Sequence, residues 1–132
     1  MPSREEIVER CVQAFQNEDW DLLESLWDPA GEIVGPEPWP ESGTFSGWPA
    51  MLAQLKRLKD SWAEDRIEII EHSRSGERLC TRFRWSVRGE ASGLESEAEL
   101  WMVSEFSGDR LFRARYFSNA EAARAALEED AT

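Results

Sequence analysis

Several classes of protein are excluded by what this sequence has little of. It has two cysteines, one histidine and one tyrosine. The cysteines, Cys11 and Cys80, fit no metal spacing, and a buried thiol at each is expected instead of a disulfide. The histidine, His72, would need an orienting partner to act as a general base, and beside a turn it reads as a surface residue. No cluster has metal-ligand spacing and no glycine-rich loop has a nucleotide pattern, so neither metal nor cofactor is expected. No apolar run approaches the ~18 residues of a membrane span. Ser3-Arg-Glu-Glu6 opens straight into a helix without a basic and apolar leader, which predicts a cytoplasmic protein. Basic residues are also scarce, 15 against 27 acids, for a net charge of −12. Such a surface repels phosphate backbones, so nucleic acid is not an expected partner, and neither is a membrane.

What is present is a core. The 132 residues are 41% hydrophobic, enough for one domain spanning 1–132. Seven are tryptophan, which suggests a broad aromatic interior able to enclose a ligand.

The chain is organised around Arg78 to Ser118. Leu79, Thr81, Phe83, Trp85 and Val87 alternate with Cys80, Arg82, Arg84, Ser86 and Arg88, and a second alternating run follows from Leu94 to Met102. After Ser107-Gly108-Asp109 comes a third strand, Arg110 to Ser118. Ahead of this meander, Ser3 and Glu6 form a capping box for a helix from about Arg4 to Asn17. Asp19 caps a short second helix that Asp28-Pro29 ends. Glu32 to Val34 is a short strand. It leads into a proline-rich loop carrying Trp39, Glu37 and Glu41, which cannot be a central strand. Thr44 to Gly47 leads into a third helix, about Trp48 to Ala63. Another strand covers about Arg66 to His72, and Ser118 with Glu121 caps a last helix, Ala120 to Glu129. The order predicts an α+β, cone-shaped fold: a bent, mostly antiparallel sheet with helices packed on its concave face.

At this point the chain resembles the nuclear transport factor 2-like superfamily, in its SnoaL-like branch. Asn17-Glu-Asp-Trp-Asp21, Asp28-Pro29, Val34-Gly-Pro36 and Gly43-Thr-Phe-Ser-Gly47 carry the resemblance. So do Arg82-x-Arg84 and Tyr116-Phe-Ser-Asn-Ala-Glu121. The superfamily includes ketosteroid isomerases, limonene epoxide hydrolases, polyketide cyclases, dehydratases and proteins without a known reaction, so fold alone does not give function. The resemblance implies catalytic positions, and this chain departs from them. Where ketosteroid isomerases carry a proton-moving acid it has Gly35. Where their tyrosine comes from the first helix it has Cys11, and near their second acid it has Trp101 or Met102. The epoxide hydrolase positions correspond to Phe83, Trp85 and Arg115, without the pair of aspartates. No residue matches the acid of the polyketide cyclases. The catalytic residues are therefore unassigned.

The resemblance also implies a pocket. Its expected wall includes Phe15 or Cys11, Ile33, Gly35, Met51, Leu55, Phe83, Trp85, Leu100 and Met102, with Trp39 closing the mouth. On the last strand the family's facing pattern turns Leu111, Arg113, Arg115 and Phe117 inward, and the arginines would then bind a carboxylate or carbonyl. Simple burial favours the opposite register, with Phe112, Ala114 and Tyr116 inside. With the arginines inside, Phe112 and Tyr116 would face out, and a homodimer through the outer sheet face would cover them. Arg82, Arg84 and Arg88 should meet Glu95, Glu97 and Glu99 as a charged ladder on that face. The expected function is a binder of a small hydrophobic or carboxylate-bearing molecule. The alternatives are an isomerase, cyclase or hydrolase acting on a hydrophobic substrate, and an interaction module with a filled cone.

Overall fold

The computed structural model describes residues 3–35, 43–60, 62, 64–89 and 95–129. Ser3 caps the first helix, its Oγ accepting from the Glu6 amide at 3.1 Å. Helix α1 (Arg4–Gln16) buries Ile7, Val8, Cys11, Ala14 and Phe15, an apolar stripe at helical spacing. Asp19 accepts from the Leu22 amide and caps α2 (Trp20–Leu26). Strand β1 (Trp27–Gly35) begins at once. It is longer than the expected Glu32–Val34, and Asp28-Pro29 lies inside it instead of ending the helix. Proline is tolerated there because the pairing of β1 is irregular between Trp27 and Glu32.

The expected lead-in to the third helix is a short strand of its own, β2 (Gly43–Ser46), antiparallel to β1. It is followed by α3 (Trp48–Asp60), β3 (Glu64–Ser75), β4 (Arg78–Arg88), β5 (Glu95–Ser107), β6 (Arg110–Phe117) and α4 (Ala120–Leu127). Asn119, not Ser118, caps α4, its Oδ1 accepting from the Ala122 amide at 2.8 Å.

The six strands form one sheet in the order β2-β1-β6-β5-β4-β3. Every pairing is antiparallel except β1 with β6. The first three helices pack on the concave face, where Ile7, Val8, Leu23, Met51, Leu79, Phe83 and Leu111 belong to one buried cluster. On the opposite face α4 closes a second, smaller core. Ala123, Ala126 and Leu127 meet Cys80 and Val103, with Trp101 and Phe117 packed alongside. The charged ladder lies on that outer face: Arg82 meets Glu99 at 2.6 Å and Arg84 meets Glu97 at 3.0 Å, whereas Arg88 turns to Glu64 of β3 at 2.6 Å and not to the expected β5 glutamates.

One irregularity in β6 decides which side chains enter the cone. Glu105 pairs with Arg113, but Phe106 pairs with Leu111, so Phe112 is an extra residue in its strand. A bulge of this kind reverses the alternation beyond it. Leu111 and Ala114 are therefore both buried in the main core, while Phe112 is 38% exposed. The neighbouring strand makes room: a Cβ on Gly31 would lie 2.6 Å from the carbonyl oxygen of Phe112. We expect Gly31→Ala to destabilise the fold by roughly 1–3 kcal/mol through backbone crowding. The check is a lower denaturation midpoint in urea with unchanged slope.

Candidate functional site

Between the concave face of the sheet and α1–α3 lies a cavity of about 130 Å³. From the expected wall, Phe15 of α1, Ile33 and Gly35 of β1 and Leu55 of α3 line it, with Phe83 and Trp85 of β4 and Leu100 and Met102 of β5. The facing of β4 and β5 follows from their unbroken register, in which Thr81 pairs with Met102, Phe83 with Leu100 and Trp85 with Ala98. Met51 is fully buried in the core beneath the chamber, not on its wall. Trp39, Glu37 and Glu41 lie outside the described residues.

Arg113, Arg115 and Phe117 are on the other side of the sheet. The bulge at Phe112 puts them out of phase with the chamber and brings Tyr116 into its wall. Arg113 Nε sits 2.9 Å from Glu32 and Nη1 3.5 Å from Glu105. Arg115 reaches the Ala126 carbonyl at 3.5 Å and Glu129 at 3.4 Å. Phe117 packs with α4. These arginines join strands and hold the end of a helix. Of the two aromatics expected to need cover by a second copy, Tyr116 is inside and Phe112 alone is exposed.

The remaining wall comes from Cys11, Val12, Leu23, Trp27, Phe45, Gln54, Leu58, Ile67, Leu111 and Tyr116. No side chain of the described wall carries a charge at neutral pH. Its side chains with polar groups are Cys11 (thiol), Gln54 (carboxamide), Tyr116 (hydroxyl), and Trp27 and Trp85 (indole nitrogens). Gln54 shares the helical stripe of Met51, Leu55 and Leu58, a spacing that marks it as inward-facing although its type does not. Burial pushes the Tyr116 hydroxyl above its ordinary pKa, with a smaller contribution from Cys11.

A buried ion pair braces the chamber. Lys59 Nζ lies 2.7 Å from Asp65 Oδ1, with the two side chains 10% and 7% exposed. The same ammonium donates to the Gln16 carbonyl at 3.3 Å and lies 4.8 Å from the centre of the Phe15 ring. The Trp85 indole N–H donates to Asp65 Oδ2 at 3.1 Å, and the Ile67 amide donates to Gln16 Oε1 at 2.9 Å. Three wall residues, Phe15, Ile67 and Trp85, are thus oriented by one polar knot. Because both charges are matched and hydrogen-bonded, removing one partner would strand the other in a poorly solvated place. His72 is elsewhere, its Nδ1 2.9 Å from Thr81 Oγ1 and its Nε2 3.7 Å from Glu9, and it does not line the chamber.

The SnoaL-like domain model matches residues 8–114. A nuclear transport factor 2-like protein of unknown function from Burkholderia pseudomallei K96243 superposes with a TM-score of 0.79 at 20% identity, covering 98% of this chain and 100% of that one. TerC co-crystallised with polyporic acid gives 0.76 at 18% identity, covering 95% and 97%. A putative SnoaL-like polyketide cyclase from Jannaschia sp. CCS1 gives 0.76 at 13% identity, covering 98% of both chains. At these identities the likeness is one of fold. No curated protein matches the sequence.

Burial pushes the Cys11 thiol up to about 12 from 9.0. Protonated Cys11 is thus favoured by the folded state, and its contribution to stability is complete below pH 9. As pH rises from 9 towards 12 the unfolded chain loses this proton while the folded chain keeps it, so stability falls. Urea unfolding at pH 8 and pH 10.5 is expected to show this loss, and Cys11→Ala to reduce it.

Proposed function

The chain belongs to the SnoaL-like domain family, and from that premise we propose that it binds a small, uncharged, mainly apolar organic molecule in the chamber behind its sheet. The observation that carries this is the wall itself: an apolar cavity of about 130 Å³ whose described lining has no charged side chain. An apolar cavity of this size class takes up a benzene-sized ring. A carboxylate-bearing ligand loses its support, because Arg113 and Arg115 are engaged on the opposite face with Glu32, Glu105 and Glu129. A buried carboxylate without such a partner would be strongly disfavoured. TerC, a neighbour of the same fold, was crystallised with polyporic acid, which supports a small organic molecule as the ligand class.

Catalysis by the isomerase, cyclase or hydrolase routes needs a group that moves a proton at the chamber. The titratable groups of the described wall are Cys11 and Tyr116, and burial disfavours ionisation of both. Binding without an assigned reaction is therefore the function that fits these residues best. It does not require a second copy on the outer face. Phe112 is the one large apolar side chain of the sheet that is exposed among the described residues.

Trp85 lines the chamber, and Trp27 does as well, so occupancy should alter intrinsic fluorescence. Titration with toluene is expected to give a saturable change, with benzoate giving none. Leu55→Trp, which fills the chamber, should weaken the toluene response on the order of tenfold or more. A wild-type protein indifferent to toluene and to other neutral single-ring compounds would remove the basis for the proposal.

A further inference from the structure

Resting on that assignment of the chamber, we infer that its ligand carries a hydrogen-bond acceptor oxygen, as in a ketone, aldehyde or ester, and that Tyr116 and Gln54 are the two side chains that take it. Gln54 is 3% exposed yet stands in an otherwise apolar wall. Its Oε1 accepts from Arg57 Nη1 at 3.1 Å. Arginine has no acceptor, so this contact fixes the orientation of the amide and commits its oxygen. Nε2 is left over, and no described residue accepts from it. The Tyr116 hydroxyl likewise has no partner among the described residues. Its ring is held edge-on to Phe83, centroids 6.1 Å apart, and its strand position opposite Met102 fixes its direction.

Buried polar groups are normally paired, and an unpaired donor in an apolar cavity is disfavoured until something accepts from it. Burial favours the protonated form of Tyr116, so the hydroxyl offers a proton across neutral pH. Gln54 Nε2 offers two more. The carboxamide oxygen is occupied and the Trp85 indole N–H is already given to Asp65. Donors therefore outnumber free acceptors in the wall. A ligand that brings an acceptor satisfies them, whereas a ligand that brings only donors does not.

The test is a matched pair of ligands on the full chain, acetophenone and ethylbenzene, which share ring and chain length and differ by a carbonyl in place of a methylene. Calorimetric titration of wild type, Tyr116→Phe and Gln54→Leu compares each ligand with itself across the variants, so differences in aqueous solubility cancel. Tyr116→Phe is expected to weaken acetophenone about three- to tenfold and to leave ethylbenzene within about twofold. Gln54→Leu is expected to do the same. Ethylbenzene binding also reports that each variant keeps its chamber. In the wild type, independently of any variant, the carbonyl stretch of bound acetophenone should lie below its value in an apolar solvent. An unshifted stretch, or acetophenone affinity indifferent to both substitutions while ethylbenzene still binds, overturns the acceptor assignment and leaves the apolar chamber in place. If neither ligand binds wild type, the chamber assignment itself fails and this one falls with it.

Discussion

The chemistry of the chamber depends on one close approach between backbones. The carbonyl of Phe112 comes so near Gly31 that a side chain there would collide with it. With that space available, β6 can hold one residue more than β5 requires, and its two faces exchange roles beyond Phe112. The exchange brings Tyr116 into an apolar cavity and keeps two guanidinium groups out of it. Reversing the phase would place Arg113 and Arg115 in a wall without countercharges, and would take from Glu32 and Glu129 their arginine partners, leaving Glu105 with Arg78 alone.

Charge is sorted by the same sheet. Outside, arginines and glutamates alternate and meet across strands, where solvent screening keeps each pair's contribution small. Inside, the polar groups are neutral. Lys59 and Asp65 are the exception at the edge of the chamber, and they serve as a brace because Gln16, Trp85 and Phe15 converge on them. With a neutral wall and an oppositely paired exterior, the ligand proposed above would be selected by shape and by hydrogen bonding.

The fold was largely legible in the sequence because its strongest signals are local. Alternation in β4 and β5 predicts which residues face in, and Phe83, Trp85, Leu100 and Met102 are on the wall as that alternation requires. Ser3 and Asp19 announce the starts of two helices, and both cap them. What was hidden is non-local. The bulge at Phe112 is stabilised by a neighbour about eighty positions earlier, Gly31, and no periodicity within β6 records it. Leu111 fits one phase and Tyr116 the other, so either unbroken register misplaces part of the strand. β2 has only four residues and forms through pairing with β1. Gln54 carried a helical-spacing signal that its polarity masked.

The sheet has a packed core on each side, and only one of them faces the cavity. Behind it, α4 is seated on Cys80 and Val103, and its last carbonyls are gripped by Arg78 and Arg115. The packing on that rear side does not touch the cavity. The front wall has no such separation: Phe83, Leu100, Met102 and Leu111 line the cavity and also belong to the main buried cluster. Trimming any of them to enlarge the chamber would cost stability as well as change its shape.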